Sequence, residues 1–392
     1  MQPNSRLAVV SPFLDKRHGT ELCVAEQIER LADDFEIHLY SSRVEDIDLR
    51  RIHWHRVPAL SAPHLAGYLW WFAANSIIRW WHGKRRILRP DLIYSPGINC
   101  LDADVISVHI VFAEFYRQVE KKLRLRSNPV ASWPLLIHRV LYYRLIRTLE
   151  RRVYTRPDVC LVAVSRKVAE DLNRFYQRTE NVHVIYHGCD QKRFHPQRRA
   201  ELREIARAEL GLRQNDFAVL LIGNDWKKKG LHCLLEAAAR LANPAIRILV
   251  VGKDDATPFR EILERNGISG SVQFLPPRPD VEFYYAAADL YAGPSLEDAF
   301  ALPPLEAMAC GLPVIVSRQA GVSELIRHGE DGLILENPED ARTLAEWIRS
   351  VMEDAALRGA LSANAARTAQ VHTWENNAAA IKGLFKKKLQ DC

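Results

Sequence analysis

The chain of 392 residues is long enough for two domains with separate cores, and its 48% apolar and 26% charged residues are ordinary for a globular protein. No run of 18 uncharged apolar residues occurs, which excludes a good transmembrane helix, and seven scattered cysteines without a Cys-x-x-Cys pair exclude a disulfide framework. The modest net charge of +6 accompanies no recognised nucleic-acid motif, so nucleic acid is not an expected partner. Reduced thiols and a start without a signal-peptide layout predict a cytoplasmic protein.

Short apolar runs that alternate with helical patterns predict an α/β domain over residues 1–195. A first strand at 6–11 leads through a loop into a helix over 21–32. This alternation is typical of a parallel sheet with helices on both sides. Further strands are predicted at 35–40, 91–94, 105–108, 161–165 and 182–185.

Three loops of this half follow predicted strands and carry candidate residues. Gly19 lies before the first helix, where its amide can approach a ligand, although a simple turn with Thr20 as the N-cap explains the same residues. His109 ends the strand at 105–108, and a lone histidine there is more often structural. Arg166 and Lys167 place positive charge at a strand-to-helix junction, where diphosphate or an acceptor would benefit.

Two stretches combine aromatic and basic residues in a way that suggests a membrane surface. Residues 64–86 contain four tryptophans and a basic end, and residues 117–156 interleave Lys and Arg with Leu, Ile, Trp and Tyr. Tryptophan and tyrosine prefer the headgroup boundary, and basic side chains favour anionic lipid. For 64–86 we favour a buried helix of the first domain. For 117–156 we favour a surface for anionic membrane or an acidic acceptor.

The alternation of strand and helix begins again after residue 196 and predicts a second α/β domain over 196–375. Ligands of such domains bind at the carboxyl ends of the strands. The strands are predicted at 217–222, 246–251, 272–275, 289–292 and 313–317.

The first strand of this second domain runs into a glycine- and lysine-rich loop. Gly223 and Asn224 follow the strand, and Lys228 and Lys229 precede the glycine that starts a helix. Runs of lysine are usually only solvated. A lysine beside the free amides of a helix N-terminus is nevertheless a suitable cradle for a diphosphate, and the flanking strand and helix favour that function.

Residues 298–306 combine, in nine positions, backbone amides that can bind a phosphate with carboxylates that can accept hydrogen bonds from a ligand. Pro303 and Pro304 suit the first turn of a helix, so the preceding loop amides are expected to point at a ligand phosphate. Glu306 in that turn can accept hydrogen bonds from a ribose diol, and Asp298 can reach a second polar group. Acids also favour helix N-termini without any ligand. Together the residues predict a sugar-nucleotide pocket; its amides are those of Phe300, Ala301 and Leu302.

No metal is expected at this pocket. Asp102 and Asp104 form an Asp-x-Asp triplet, but it lies elsewhere in the sequence. Asp254 and Asp255 are a simple pair.

The stretch 291–317, YAGPSLEDAFALPPLEAMACGLPVIVS, resembles the signature of the family-4 retaining glycosyltransferases, two glutamates separated by seven residues. Here the first acid is Asp298, with Glu297 as a one-residue alternative. Ala299 and Ala301 stand where glycines are usual. These departures bear on the donor sugar more than on the fold.

Three further segments resemble the same family. Residues 184–196 are similar to its domain-junction segment, although we favour the simpler explanation of a glycine turn before a linker. Residues 221–231 resemble its diphosphate loop, with Asn224 in place of the usual arginine. The sequence of this loop is closest to that of the lipopolysaccharide core glucosyltransferase branch. Residues 14–21 look like a reduced form of its Gly-Gly loop.

The resemblance implies the GT-B fold, two Rossmann-like doubly wound domains facing a central cleft, with a C-terminal helix over 376–392 that crosses back to the first domain. It also implies retaining, metal-independent transfer from a nucleoside-diphosphate sugar, UDP before GDP, to a glycan or lipid-linked acceptor of the cell envelope. The resemblance further implies a role for each candidate residue. Lys229 and Lys228 neutralise the diphosphate, and Gly223 and Asn224 lie beside it. Glu306 holds the ribose and Asp298 holds the sugar, while His109 and Gly19 complete the sugar pocket.

Two other functions remain open from the sequence. A catalytically weak sugar-nucleotide-binding scaffold at a membrane is favoured by Asn224, Asp298 and the two alanines at glycine positions. A glycogen-synthase-like or phosphorylase-like enzyme would have the same architecture.

Overall fold

The computed structural model describes residues 5–60, 63–123 and 129–390. The chain divides into two compact units. Unit 1 comprises residues 1–186 together with 374–392, and unit 2 comprises residues 187–373. Each unit is built on one parallel β-sheet.

The main sheet of unit 1 has seven parallel strands in the order β5-β3-β1-β6-β7-β8-β9, and β2 pairs separately with β4. Leu7, Ala8, Val9 and Val10 of β1 are fully buried, so helices and loops cover both faces of this interior strand. The strands are β1 (Arg6–Val10), β2 (Phe13–Leu14), β3 (Glu36–Ser41), β4 (Arg43–Val44), β5 (Ile52–Arg56), β6 (Leu92–Pro96), β7 (Val105–Val108), β8 (Cys160–Ala163) and β9 (Val182–Val184).

Five helices connect these strands, and their inner faces close the core of unit 1. In the first helix Val24, Ala25 and Ile28 are fully buried against the sheet. The helices are α1 (Gly19–Leu31), α2 (His64–Lys84), α3 (Phe112–Val119), α4 (Trp133–Tyr154) and α5 (Arg166–Tyr176).

Helix α2 contradicts the expectation that the aromatic stretch 64–86 is a buried helix. Of its side chains only Trp71, Ala74 and Asn75 are buried, while Trp80 is 62% exposed. The residues of the other aromatic and basic stretch that form α4 are described, but 124–128 lie outside the described residues. Within the described part of the chain, no helix is long and apolar enough to cross a membrane.

Unit 2 has six parallel strands in the order β12-β11-β10-β13-β14-β15. Its strands are β10 (Phe217–Ile222), β11 (Ile246–Val251), β12 (Val272–Leu275), β13 (Leu290–Gly293), β14 (Val314–Ser317) and β15 (Leu333–Leu335). Its helices are α6 (Pro196–Glu209), α7 (Leu231–Leu241), α8 (Arg260–Arg265), α9 (Glu282–Ala287), α10 (Leu302–Ala309), α11 (Ala341–Glu353) and α12 (Ala355–Ala369).

Both sheets are doubly wound, and each has one point where the strand order reverses. In unit 1 the chain moves outward from β1 through β3 to β5 and then returns to the other side of β1 at β6. In unit 2 it moves from β10 through β11 to β12 and returns beside β10 at β13. The loops at the carboxyl ends of such strand pairs diverge and leave a crevice, the usual ligand position in doubly wound sheets.

The last helix, α13 (Trp374–Gln390), packs on unit 1 although unit 2 precedes it in the chain. Ile381 and Phe385 are fully buried in the unit 1 core. The Asn377 amide accepts a hydrogen bond of 2.9 Å from Gln27 and donates one of 2.7 Å to the Tyr186 carbonyl. Apolar burial and a satisfied buried amide therefore fix α13 to this unit.

Candidate functional site

The loop after β10, residues 223–230, is held in place by the neighbouring loop after β11. The Asp254 carboxylate accepts a 2.6 Å hydrogen bond from the Trp226 amide. The Asn224 side-chain oxygen accepts a 3.0 Å hydrogen bond from the Lys253 amide. The side-chain oxygen of Asn224 thus joins two loops of the protein, and its role at the donor stays a prediction.

Gly230 allows the same loop to meet the loop after β13. Its φ is +78°, and a Cβ there would lie 1.8 Å from the Pro294 carbonyl oxygen. The Leu296 amide also donates a 2.7 Å hydrogen bond to the Lys228 carbonyl. The two loops at the reversal point of unit 2 are therefore in direct backbone contact.

Lys229 and Asp298, predicted separately from two motifs, form an ion pair at this contact. Their side chains are only 21% and 17% exposed. Gly223 lies beside the pair, because a Cβ on it would come within 2.9 Å of the Lys229 side chain. Lys228 points elsewhere and lies 3.6 Å from Asp225. A partly buried cation and carboxylate thus occupy the crevice where a ligand of this fold is expected.

Asp298 also organises the loop that leads into α10. Its Oδ1 accepts a 3.2 Å hydrogen bond from the Phe300 amide, and its backbone bonds to Gln319 and Gly321 on the far side. The Phe300 amide was predicted to point at a ligand phosphate and is directed to Asp298 instead. The cause is local: an aspartate accepts readily from the amide two residues later.

Ala301 stands at the N-cap of α10 with φ +70° and ψ 101°. Left-handed backbone costs an L-residue about 1–2 kcal/mol, whereas glycine adopts it freely. Ala301→Gly removes this strain, but glycine also gives the unfolded chain more conformational entropy, which offsets part of the gain. The net result is expected to be a stabilisation of unit 2 by about 0.5–1 kcal/mol. Calorimetric melting should show a rise of roughly 1–4 °C.

Ala299→Gly is the matched control, because Ala299 is in the same loop and is not among the residues with positive φ. It is expected to lower the melting temperature through unfolded-state entropy alone. Equal effects of the two changes would contradict the strain assigned to Ala301.

Glu306 is the fifth residue of α10, one turn later than the sequence suggested. It accepts a 2.6 Å hydrogen bond from the Tyr285 hydroxyl, and burial raises the pKa of this carboxyl. Burial, followed by the charges of Asp298 and Glu306, raises the pKa of Tyr291. Both carboxylates therefore lie near one buried phenol, and the site keeps two acids at the same end of the sheet.

Sequence analysis missed three residues that build this site: Asp254, Tyr285 and Phe194. The Phe194 ring packs edge-on against Tyr285 with centroids 5.8 Å apart, and so supports the partner of Glu306. Phe194 is part of the 184–196 segment, whose sequence indicates a family resemblance but not this contact. Nothing local marks Tyr285, since its role depends on α9 and α10 being neighbours.

In unit 1 the loop after β1 leads to Gly19, the first residue of α1. The N-cap position belongs to His18, so the alternative explanation with Thr20 as the N-cap is wrong. The buried Asp15 carboxylate accepts from the amides of Arg17 and His18 at 2.9 and 3.0 Å and fixes the loop. A Cβ on Gly19 would meet no described atom within 4 Å, so packing alone does not explain the glycine.

His109 follows β7, one strand from the reversal point of unit 1. Its Nε2 lies 2.8 Å from Ser107 Oγ, and burial lowers the pKa of the ring to about 4. The imidazole is therefore neutral at pH 7 and acts as a hydrogen-bonding group rather than a cation.

The lowered pKa of His109 predicts a pH dependence of stability. Between pH 6.5 and 4 the unfolded chain binds a proton that the folded ring refuses, so this contribution is present above pH 6.5 and is lost as the pH falls. We expect His109→Asn to lose about 1–2 kcal/mol less stability between pH 7 and 5 than the native chain. Urea unfolding at the two pH values measures this. Identical losses would show that His109 titrates normally.

The remaining predicted residues have structural partners. Ser165 caps α5 by accepting from the Val168 amide at 3.2 Å, and Lys167 lies 3.9 Å from Asp171 at this strand-to-helix junction. Asp102 forms two hydrogen bonds of 2.7 Å with Arg79. The structure thus brings together Lys229, Asp298, Gly223 and Glu306 in unit 2, and places Gly19 and His109 on neighbouring loops of unit 1.

Two protein families match this chain in succession. Residues 17–193 match Glycosyltransferase Family 4, and residues 203–368 match Glycosyl transferases group 1. A D-inositol 3-phosphate glycosyltransferase of Corynebacterium urealyticum is 30% identical over 252 residues, which are 61% of this chain and 59% of that protein. The match thus spans less than two thirds of the relative's length.

Solved structures similar to the whole chain show the fold. WaaG, a glycosyltransferase involved in lipopolysaccharide biosynthesis, has a TM-score of 0.79 at 22% identity and covers 96% of this chain and 99% of its own. HepE from Anabaena, solved in complex with UDP-glucose, has a TM-score of 0.72 at 21% identity, with coverages of 97% and 99%. The predicted GT-B fold of two parallel-sheet α/β domains is confirmed.

Proposed function

Because the chain belongs to the group-1, family-4 glycosyltransferases of the GT-B fold, we propose that it moves a sugar from a nucleoside-diphosphate donor to an acceptor hydroxyl with retention of configuration. The observation that carries the proposal is the Lys229–Asp298 ion pair at the reversal point of the unit 2 sheet. A sugar nucleotide needs a cation for its diphosphate and a carboxylate for its sugar hydroxyls, and this pair offers both side by side.

Binding of the donor breaks the ion pair, and each of its two residues then binds a part of the donor. The diphosphate takes the ammonium of Lys229, whose charge then stabilises the leaving nucleoside diphosphate in the transition state. Asp298, released from Lys229, accepts from sugar hydroxyls while its Oδ1 stays tied to the Phe300 amide. A partly buried lysine performs this task without a metal, and Lys228 lies on the same loop to add charge at longer range.

Glu306 binds the ribose. Its carboxylate is partly buried and already accepts from the Tyr285 hydroxyl, which fixes its direction. The two hydroxyls of a ribose diol supply the further donors that this carboxylate needs to remain ionised against the raised pKa. A deoxyribose nucleotide lacks one of these donors and is therefore a poorer ligand.

The donor is proposed to be UDP-glucose, with a GDP-sugar as the second choice. HepE was solved with UDP-glucose, and the sequence of residues 221–231 is closest to that of a glucosyltransferase branch. The acceptor is proposed to be a glycan or lipid-linked sugar of the cell envelope. The roles of Gly19 and His109 at the sugar stay predictions of the family resemblance.

A thermal-shift panel of UDP, GDP and ADP with their sugar conjugates, with and without EDTA, tests this proposal. Binding at a hundred times Kd stabilises the folded state by about 2.7 kcal/mol, a clear rise in melting temperature. We expect one nucleotide family to give that rise, unchanged by EDTA, and the anomeric proton of the product to show retention by NMR. No shift with any nucleotide would sink the donor proposal and favour the scaffold.

A further inference from the structure

The outward face of α2 is apolar along the whole helix. Its exposed positions recur every three or four residues, as expected for one helical stripe. Seven of the nine exposed positions of α2 are apolar, the other two being His64 and Lys84 at its ends, and Ile77 and Trp80 are each 62% exposed. The stripe consists of Ala66, Leu69, Trp70, Ala73, Ile77, Trp80, Trp81 and Lys84. A surface helix of a globular protein normally carries polar residues there, so this face calls for a partner.

The start of α4 extends the apolar surface. Tyr142 of α4 packs edge-on against Tyr68 of α2 with centroids 5.8 Å apart, and His138 accepts a 3.3 Å hydrogen bond from the Leu65 amide. Next to these contacts lie further exposed aliphatic side chains of α4, namely Leu135, Ile137 and Leu141. The two helices together expose more apolar area than single scattered residues would.

The charged residues at the end of α2 are basic. Helix α2 contains no Asp or Glu, and its internal Arg79 is already paired with Asp102. Lys84 lies over the Trp80 ring at 5.0 Å, and the Arg85 guanidinium lies over the Trp81 ring at 4.1 Å. Cations therefore stand at the edge of the tryptophan surface, on the rings themselves.

This combination selects one kind of partner. Tryptophan beside lysine and arginine suits the headgroup layer of a bilayer, with aliphatic side chains below it and lipid phosphates beside the cations. A second copy of the chain would bring the same positive charge and no acid on this face, which disfavours self-association. The exposed basic residues of α4 add attraction for an anionic surface; they are Arg139, Arg144, Arg151 and Arg152.

We propose that the α2 face, defined as Leu69, Trp70, Ile77, Trp80 and Trp81, docks on an anionic phospholipid bilayer with Lys84 and Arg85 on lipid phosphates. Docking needs no spanning helix, because the helix lies in the plane of the interface. The inference concerns unit 1 and does not depend on the donor chemistry proposed for unit 2.

Flotation of the full chain with vesicles tests the proposal. We expect binding to phosphatidylcholine–phosphatidylglycerol vesicles (7:3) and weaker binding to pure phosphatidylcholine. Ile77→Ser with Trp80→Ser should lower the partition coefficient at least tenfold, and Lys84→Glu with Arg85→Glu should remove the preference for anionic vesicles. The matched control is Ile205→Ser on α6, which removes an equally exposed isoleucine (64%) and should bind like the native chain.

Circular-dichroism melting confirms that each variant is folded, since the changed residues are exposed. Native protein that stays unbound to anionic vesicles, or a double serine variant that binds like the native chain, would overturn the proposal. Light scattering tests whether a second copy of the chain covers this face instead. If the native chain binds no vesicles and forms a dimer that Ile77→Ser with Trp80→Ser dissociates, the face belongs to a second copy. A missing nucleotide shift would refute the donor proposal alone and leave the vesicle result unchanged.

Discussion

Lys229→Met is expected to lower kcat for sugar transfer by about 10²–10³-fold. The substitution keeps the length of the side chain but removes the charge that faces the leaving diphosphate, and loss of one such preorganised group costs about 3–4 kcal/mol in the transition state. It also leaves Asp298 without its ion-pair partner beside an incoming anion. Initial rates of nucleoside diphosphate release at saturating donor measure the effect.

Lys227→Met is the control for Lys229→Met. Lys227 belongs to the same run of three lysines but is exposed, so the change removes equal charge from the loop without touching Asp298. Its rate should remain within about twofold of the native rate, because exposed charges are screened by water and salt. A folded Lys229→Met variant that keeps more than a tenth of the native rate would contradict the role given to Lys229.

Gly230→Ala is expected to destabilise unit 2 by about 3 kcal/mol or more. The new Cβ would overlap the Pro294 carbonyl, a backbone group that has no rotamer to escape, and φ of +78° adds about 1–2 kcal/mol of strain. The loops after β10 and β13 would have to separate, so nucleotide binding should weaken as well. Scanning calorimetry should show the unit 2 transition roughly 6–12 °C lower.

Gly359→Ala, in the same unit, is expected to change stability in the opposite direction. Gly359 is in the interior of α12, and a Cβ on it meets no described atom within 4 Å. Alanine there should raise stability by about 0.5–1 kcal/mol, because glycine is a poor helix former. If Gly230→Ala melted like the native chain, the close approach of the two loops would be wrong.

The strands of the fold were predictable where burial is complete. The apolar runs at 217–222 and 246–251 form β10 and β11 as expected, because central parallel strands are buried on both faces and read as continuous apolar segments. β5 was missed because it is an edge strand, with Ile52 as its one buried residue. β15 was missed because three residues carry little pattern.

The site was predictable as two motifs but not as one arrangement. Spacing and residue type indicated Lys229 and Asp298, which lie 69 residues apart in the chain. Their contact depends on β10 and β13 being neighbours, which local patterns do not specify. Asp298 accepting from Phe300, and Tyr285 bonding to Glu306, are likewise consequences of tertiary placement.

Helix α2 shows why burial of an aromatic helix could not be read from the chain. A helix that is apolar on all sides is usually enclosed by protein, which favoured the buried interpretation. Trp71 and Ala74 do face the core, but the opposite side is just as apolar and is exposed. Periodicity identifies a face only when the two sides differ, and here they do not.

Hydrogen–deuterium exchange of the native chain with and without saturating UDP tests the donor site of unit 2, because it locates the bound nucleotide rather than only detecting it. We expect slower exchange in two segments of unit 2, residues 223–230 and 298–306, which carry Lys229, Asp298 and Glu306. Unchanged exchange in both segments, or protection confined to other parts of the chain, would contradict a donor site at the reversal point of this sheet.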